Sequence, residues 1–190
     1  TVDLVKAVVD EAHILKKIVT VHIGEDTGAS IALAAGVDEW AHIPCAAIDD
    51  GLIAKAARQG VKVITTLDTM SHCAGVASNA RRLSESGVRL LYGAEIAHDD
   101  IPWGIDAHEL SLMQHLTKMS VTDVLRAATS EAGMELGLYP LGTFNPGAPA
   151  DIIAVRGNAQ NNLKALEYPD LVVSGGQIVV NHFPRDLLPQ

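Results

Sequence analysis

A short phrase that recurs three times along the chain limits the fold more than any other feature. A helical stretch ends in a glycine, and a valine that opens an apolar run follows at once, as in Ala35-Gly36-Val37, Gln59-Gly60-Val61 and Ser86-Gly87-Val88. Glycine commonly ends α-helices in the left-handed conformation. The phrase therefore predicts strands that alternate with helices, which gives a parallel sheet joined by right-handed crossovers.

The remaining pattern divides the chain into two regions. Predicted strands cover residues 18–23, 37–43, 61–67 and 88–92, and predicted helices cover residues 2–17, 29–35, 50–59, 77–86, 106–119 and 122–136. From residue 142 the chain is rich in proline, glycine and short β-type segments at 151–155, 171–174 and 177–180. We predict an α/β region at residues 1–141 and a β appendage at residues 142–190. A closed (β/α)8 barrel has eight strands and about 250 residues, so the first region can supply half of one.

Charge and composition narrow the classes of partner. Lys and Arg total 14 against 23 Asp and Glu, which gives a net charge of −9, and only 4% of residues are aromatic. Such a chain lacks the basic face and stacking residues that nucleic-acid binding needs, so we expect no nucleic-acid partner and a small neutral or cationic substrate. No apolar run approaches the ~20 residues of a membrane span, so we expect no membrane partner.

The two cysteines, Cys45 and Cys73, form neither a CxxC metal pair nor the framework of a disulfide-rich domain. We therefore expect them to be unpaired in a reducing cytoplasm. Cys45 lies close after a predicted strand and could line a pocket, although a buried, inert cysteine is the commoner case.

Candidate catalytic residues lie at the carboxyl ends of the predicted strands, where parallel βα folds carry their active sites. The first two ends carry His22 and His42, the third carries residues 66–68, and the fourth carries Glu95. Neutral imidazoles bind a zinc-like ion, and a carboxylate can bind metal or accept a proton from water. We predict that His22 and His42 are metal ligands and Glu95 the catalytic carboxylate. His72 and His98, in loops on the same face, are candidate substrate contacts.

Each of these residues has a structural alternative. A histidine at a strand end can be a hydrogen-bonded residue of the rim, and Glu95 can be a solvated loop carboxylate. Asp99 or Asp100 could take the place of Glu95. His72 can be an exposed polar residue of a mobile loop.

Six phrases are similar, in order and spacing, to phrases of one enzyme family. Residues 19–22 resemble its fifth-strand phrase, residues 35–42 its AGVD…EH sixth strand, and residues 81–95 its L…AGV…GTD approach to the eighth strand. The other three phrases, which resemble its LRAAT…LGL helix, PG..AD loop and V..GG hairpin, are residues 125–138, 142–153 and 172–177. On these phrases the chain resembles the C-terminal half of the metal-dependent amidohydrolases, in the imidazolonepropionase and prolidase-like branch of the superfamily.

The resemblance implies a fold and a reaction. The fold is α/β: strands five to eight of a TIM (β/α)8 barrel, plus a small C-terminal β segment of a composite β-sandwich domain. The reaction is hydrolysis of carbon–nitrogen bonds, amide-like and either non-peptide or dipeptide, by metal-activated hydroxide. His22 and His42 would bind one or two divalent ions, zinc above all, and Glu95 would transfer the proton to the leaving group.

Two departures from the family pattern bear on activity. Glu95 stands where the family has Asp, and the first-strand His-x-His pair and the fourth-strand Lys or Glu would lie upstream of Thr1. We therefore expect activity to need the N-terminal half of the barrel, either in a longer polypeptide or as a second chain, and we expect a homo-oligomer. The alternative is a non-catalytic half-barrel that serves as a scaffold or interaction subunit.

Overall fold

The computed structural model describes residues 1–101 and 103–183; Pro102 and residues 184–190, the end of the predicted appendage, lie outside the described residues. The helices are α1 Val2–Ile14, α2 Asp26–Ala35, α3 Asp50–Gln59, α4 Val76–Glu85, α5 Ala107–Leu116, α6 Val121–Ala127 and α7 Ser130–Glu135. The strands are β1 Thr20–His22, β2 Glu39–Ala41, β3 Lys62–Ile64, β4 Arg89–Leu91, β5 Ile152–Ala154, β6 Leu171–Ser174 and β7 Gln177–Asn181. A 3₁₀ helix covers Leu163–Glu167.

The first four strands form a parallel sheet in the order β1-β2-β3-β4, which confirms the predicted α/β fold. Trp40, Val63 and Leu90 occupy matching register positions on one face and are buried in the main hydrophobic core. Because side chains alternate along a strand, the residues beside them lie on the opposite face. On that face, at the amino end of the sheet, Nζ of Lys62 lies 2.6 Å from a carboxylate oxygen of Glu135 on α7. The sheet thus has one apolar face and one partly polar face.

The recurring glycine phrase has the conformation that the sequence predicts. Gly36 and Gly60 are the C-caps of α2 and α3, with φ of 81° and 71°, and Gly87 follows the end of α4 with φ of 82°. The valine after each glycine is buried. A side chain at any of the three glycines would have to adopt the left-handed conformation, which is costly for other residues.

The predicted helix at residues 122–136 is in fact two helices, α6 and α7. Its start follows the prediction, because Ser120 and Asp123 form a capping box. It is interrupted at Thr129, whose φ is −133° and whose hydroxyl donates to the carbonyl of Leu125 at 2.7 Å. Gly142 packs so closely against the Thr129 backbone that a Cβ at Gly142 would overlap it. The interruption therefore coincides with a close packing contact, which the local sequence pattern does not show.

The last three strands form an antiparallel sheet in the order β5-β6-β7. β6 and β7 are joined by the predicted tight turn, in which Ser174 pairs with Gln177. Gly175 and Gly176 both have positive φ, 56° and 80°, as a type I′ hairpin turn requires.

The expectation that the cysteines are unpaired is wrong, because Cys45 and Cys73 form a disulfide with a Cα–Cα distance of 4.8 Å. Cys45 lies in the loop after β2, and Cys73 lies in the loop after β3. Neighbouring parallel strands end at the same edge of a sheet, so these loops meet although the cysteines are far apart in sequence.

Within the described part of the chain, every helix is too short or too polar to traverse a lipid bilayer.

Candidate active site

Three of the five predicted site residues lie together at the carboxyl end of the parallel sheet. His22 is the last residue of β1, His42 follows β2 directly, and Glu95 follows β4. The imidazole rings of His22 and His42 meet edge to face, with centroids 4.6 Å apart and planes at 69°. Nε2 of His42 lies 3.8 Å from Oε1 of Glu95. Two imidazoles and one carboxylate therefore form a continuous cluster.

The backbone at this cluster has an uncommon conformation. His42, Thr66 and Glu95 have φ of 74°, 50° and 52°, and only one other non-glycine residue in the described ranges has positive φ. Such residues cost about 1–3 kcal/mol each and persist only where the surroundings hold them, which is common at functional sites. The three lie at the ends of β2, β3 and β4, where the chain turns out of the sheet.

Thr66 holds the imidazole of His42. Its Oγ1 lies 2.6 Å from Nδ1 of His42, and both residues are buried, with 4% and 7% of their surfaces exposed. The bond occupies Nδ1 and leaves Nε2 directed towards Glu95. Sequence reasoning placed residues 66–68 at a strand end without giving Thr66 a role; the signal that could have found it is that β2 and β3 are consecutive and their ends are adjacent.

Burial lowers the pKa of His42, and the neighbouring His22 lowers it further, while the carboxylate of Glu95 acts in the opposite direction. The loss of solvation is the largest cause because the charged imidazolium is disfavoured away from water. The neutral ring is therefore favoured, and the neutral ring is the form that binds a metal ion.

Gly93 allows the end of β4 to lie against β3. A Cβ at Gly93 would overlap Cγ2 of Ile64, and the amide of Thr66 donates to the Gly93 carbonyl at 3.1 Å. The close approach places Glu95, two residues later, beside the ring of His42. Glycine is needed at this position because of close packing, and not because of a left-handed backbone conformation.

The centroid separation of the two histidine rings is close to the one that a shared divalent cation requires. A cation about 2.1 Å from one nitrogen of each ring, with an angle of about 109° between the bonds, places the ring centroids about 5 Å apart; the observed separation is 4.6 Å. Among residues 1–101 and 103–183, however, no group of three or more His, Cys, Asp or Glu side chains has the spacing of a metal site. The pair offers two ligands, whereas catalytic zinc sites usually have three from protein.

The two other predicted histidines lie outside the cluster. His98 lies three residues after Glu95, and its amide donates to the Glu95 carbonyl at 2.9 Å. Together with Asp99, Asp100 and Trp103, His98 lines a cavity of about 490 Å³. His72 is exposed in the loop between β3 and α4, and no hydrogen bond or ion pair of the described residues joins its side chain to His42. Their contact with substrate stays a prediction.

Sequence reasoning missed Glu109, a carboxyl group on α5 with no exposed surface. Its Oε1 accepts a hydrogen bond from the hydroxyl of Thr65, and its Oε2 accepts one from the amide of Asp68 at 2.8 Å. Burial raises the pKa of Glu109 to about 7. The carboxyl thus fixes the chain on both sides of Thr66. The sequence signal that could have found Glu109 is its position among the apolar residues Leu110 and Met113 of the same helix, which indicates a buried carboxyl group.

Known proteins share this architecture along nearly the whole chain. Ochratoxinase from Aspergillus niger is 24% identical over 192 residues, covering 91% of this chain and 40% of the relative. The structure of a Xaa-Pro dipeptidase with methionine bound in its active site superposes with a TM-score of 0.84 at 23% identity, covering 95% of this chain and 49% of that chain. A more distant structure is atrazine chlorohydrolase TrzN from Arthrobacter aurescens TC1 complexed with zinc, with a TM-score of 0.67 at 18% identity over 100% of this chain and 49% of that chain.

The chain thus spans less than half the length of these relatives. The sequence profile described as the amidohydrolase family matches residues 1–179, most of the chain. The chain belongs to the amidohydrolase family.

Proposed function

We propose that this chain is part of a metal-dependent hydrolase that cleaves carbon–nitrogen bonds in small amide-like molecules, either non-peptide amides or dipeptides. The observation that carries the proposal is the contact between His22 and His42, whose ring centroids are 4.6 Å apart beside Glu95. Family membership supports the reaction class. Among the relatives, a dipeptidase and ochratoxinase support the substrate class.

In this proposal His22 and His42 hold a divalent cation, for which zinc is the first candidate because imidazole nitrogen suits it. One or two ions could bind. When bound, such a cation lowers the pKa of water to about 7, so that hydroxide is available at neutral pH. The bond from Thr66 to Nδ1 keeps Nε2 of His42 free to ligate.

Glu95 is proposed to move the proton. Its side chain is 39% exposed, so it is open to water and substrate, and its Oε1 lies 3.8 Å from Nε2 of His42. A carboxylate there can accept a proton from the attacking water and deliver it to the leaving nitrogen. Glu95 is one methylene longer than the Asp of the family pattern, and its backbone is left-handed, with φ of 52°. His72 and His98 are proposed to contact the substrate.

The rest of the enzyme is proposed to come from outside this chain. The four-stranded sheet has open edges at β1 and β4, and the chain covers about half of the matched structures. We propose that β1–β4 are strands five to eight of a TIM barrel and that β5–β7 belong to a β-sandwich domain, with the boundary between residues 141 and 142. The N-terminal half of the barrel, or a second chain in a homo-oligomer, would supply the missing ligands.

The cytoplasmic location predicted above stays a prediction, and the Cys45–Cys73 disulfide weighs against it. Disulfides persist mainly in oxidising compartments, because cytosolic thiol systems keep cysteines reduced.

The test compares metal content and hydrolysis of dipeptide and N-acyl amino acid substrates in the protein assembled from this chain and the rest of the barrel. His22→Ala and His42→Ala should each remove bound metal and hydrolysis. His115→Ala, an exposed histidine on α5, is the matched control and should change neither. Unchanged metal content and hydrolysis in both site variants would favour the non-catalytic scaffold.

A further inference from the structure

The Cys45–Cys73 disulfide joins the two loops that carry the hydrogen-bonded pair His42 and Thr66. We propose that this disulfide is a positioning element of the candidate active site: it holds the loop after β2 against the loop after β3, and so keeps the imidazole of His42 on the hydroxyl of Thr66. The expected consequence is tighter binding of a divalent cation, and in this respect the inference rests on the proposed function.

Cys45 lies where the loops after β1 and β2 meet. It is three residues beyond His42, and its amide donates to the carbonyl of Gly24 at 2.9 Å. Gly24 is two residues beyond His22. A shift of Cys45 therefore moves backbone that is linked to both candidate ligands.

Cys73 is connected to Thr66 by successive turns. The amide of Met70 donates to the Thr66 carbonyl at 3.1 Å, and the amide of Cys73 donates to the Met70 carbonyl at 2.9 Å. The two loops also touch directly, since the amide of Gly75 donates to the Cys45 carbonyl at 2.9 Å, and a Cβ at Gly75 would lie 2.7 Å from that oxygen. The disulfide thus closes two loops that are already packed together.

The site needs such a restraint because ladder hydrogen bonds end at its edge. The amide of His42 donates to the Ile64 carbonyl at 3.0 Å, and the amide of Thr66 donates to the Gly93 carbonyl at 3.1 Å. Both His42 and Thr66 hold positive φ, a conformation that relaxes unless the flanking chain prevents it. Beyond these residues the covalent bond restricts the conformations open to both loops.

The fold does not depend on this bond alone, so its effect on the site is measurable in a folded chain. The buried Asn79 of α4 donates to the carbonyls of Pro44 and Ala46 at 2.8 and 2.7 Å. Its Oδ1 also accepts from the amide of Ile48 at 3.1 Å. These hydrogen bonds attach the loop after β2 to helix α4, and they do not require the disulfide.

The experiment follows His42 itself. A dithiol reduces the bond by giving two electrons and two protons, which yields two cysteine thiols and the dithiol's own disulfide. We expect the ¹⁵N resonances of the His42 ring to show a hydrogen-bonded Nδ1 in the oxidised chain and to lose that signature in the reduced chain and in the Cys45→Ala/Cys73→Ala variant. Zn²⁺ affinity is measured in the assembled protein with the Cys45→Ala/Cys73→Ala variant, by competition with a chelating dye, because free thiols and the dithiol would themselves bind Zn²⁺. It should fall about 10-fold or more, as when a hydrogen-bond partner of a ligand is lost.

Ile53→Val, at a buried position of α3, is the control for general destabilisation and should leave both readouts unchanged. Two free thiols in the untreated chain would overturn the proposal. So would an unchanged His42 signal in the reduced, folded chain together with an unchanged Zn²⁺ affinity in the folded Cys45→Ala/Cys73→Ala variant. If His22→Ala and His42→Ala leave Zn²⁺ uptake intact, the proposed function fails instead, while a reduction-dependent His42 signal would still support the positioning role.

Discussion

The hydroxyl oxygen of Thr66 lies 2.6 Å from Nδ1 of His42, and this bond joins the ends of two neighbouring parallel strands. It fixes which ring nitrogen remains for other partners, and the remaining Nε2 is directed towards Glu95. A histidine ligand usually needs such a partner for its second nitrogen, because the partner sets both ring orientation and tautomer. The candidate site therefore includes Thr66 as well as the two histidines.

Replacing Thr66 with valine should weaken metal binding while preserving shape. Thr66→Val keeps the branched side chain but removes the hydroxyl, so the ring of His42 loses its partner. We expect Zn²⁺ affinity to fall about 10–100-fold. Thr66→Ser restores the hydroxyl and should retain most of the affinity. Equal affinity in the valine and serine variants would show that the bond has no part in metal binding.

The buried carboxyl of Glu109 should make stability depend on pH. Its pKa is raised from 4.5 to about 7 in the folded chain. Between pH 4.5 and 7, the folded state therefore binds more protons than the unfolded state. Its contribution is therefore fully present below pH 4.5 and is lost as pH rises through 7, a change of about 3 kcal/mol for one group. Urea unfolding from pH 4.5 to 8 measures it.

Glu109→Gln is the matched variant for that experiment, since glutamine has similar size and no titration. Burial also raises the pKa of Glu39 and of Asp106, and both groups remain in the variant. The Asp106 carboxylate repels that of Glu109, so the difference between the two profiles reports Glu109 together with this repulsion. The wild-type free energy of unfolding should fall more steeply with pH than that of the variant. Parallel profiles would contradict the assignment.

Gly93→Ala should destabilise the chain and disturb the site, because the new Cβ would overlap Cγ2 of Ile64. We expect a loss of about 1–3 kcal/mol, typical of an overpacked core. Gly28→Ala, on α2, meets only ordinary contacts at 3.7 Å and serves as the control. Adding Ile64→Ala removes the obstructing methyl, so the double variant should be more stable than the sum of the single effects predicts.

Glu135→Gln should cost about 1 kcal/mol, since Lys62 loses its closest carboxylate. The loss is limited because Glu39 still attracts Lys62 and no longer experiences the repulsion from Glu135. The side chain of Glu135 is only 10% exposed and contacts Nζ of Lys62 at 2.6 Å. Glu131 on the same helix forms no ion pair with any of the described residues. Glu131→Gln should therefore change the free energy of unfolding little. Equal unfolding midpoints for the two variants would show that the pair adds nothing.

Much of the fold could be predicted from local patterns. The glycines that end α2 and α3, Gly36 and Gly60, sit where left-handed backbone is needed, and helix α3 covers the predicted residues 50–59. The placement of His22 and His42 at neighbouring strand ends followed from the order of the elements. These features depend on residues close in sequence, so the sequence carries them directly.

Contacts between segments could not be predicted in the same way. The break at Thr129, the Cys45–Cys73 disulfide and the burial of Glu109 each depend on which chain segments pack together. By itself, the sequence determined the alternation of strands and helices and the strand ends that carry the candidate site residues. Only the tertiary structure decided which side chains touch there, because distances across a sheet edge are set by strand register and loop packing rather than by spacing along the chain.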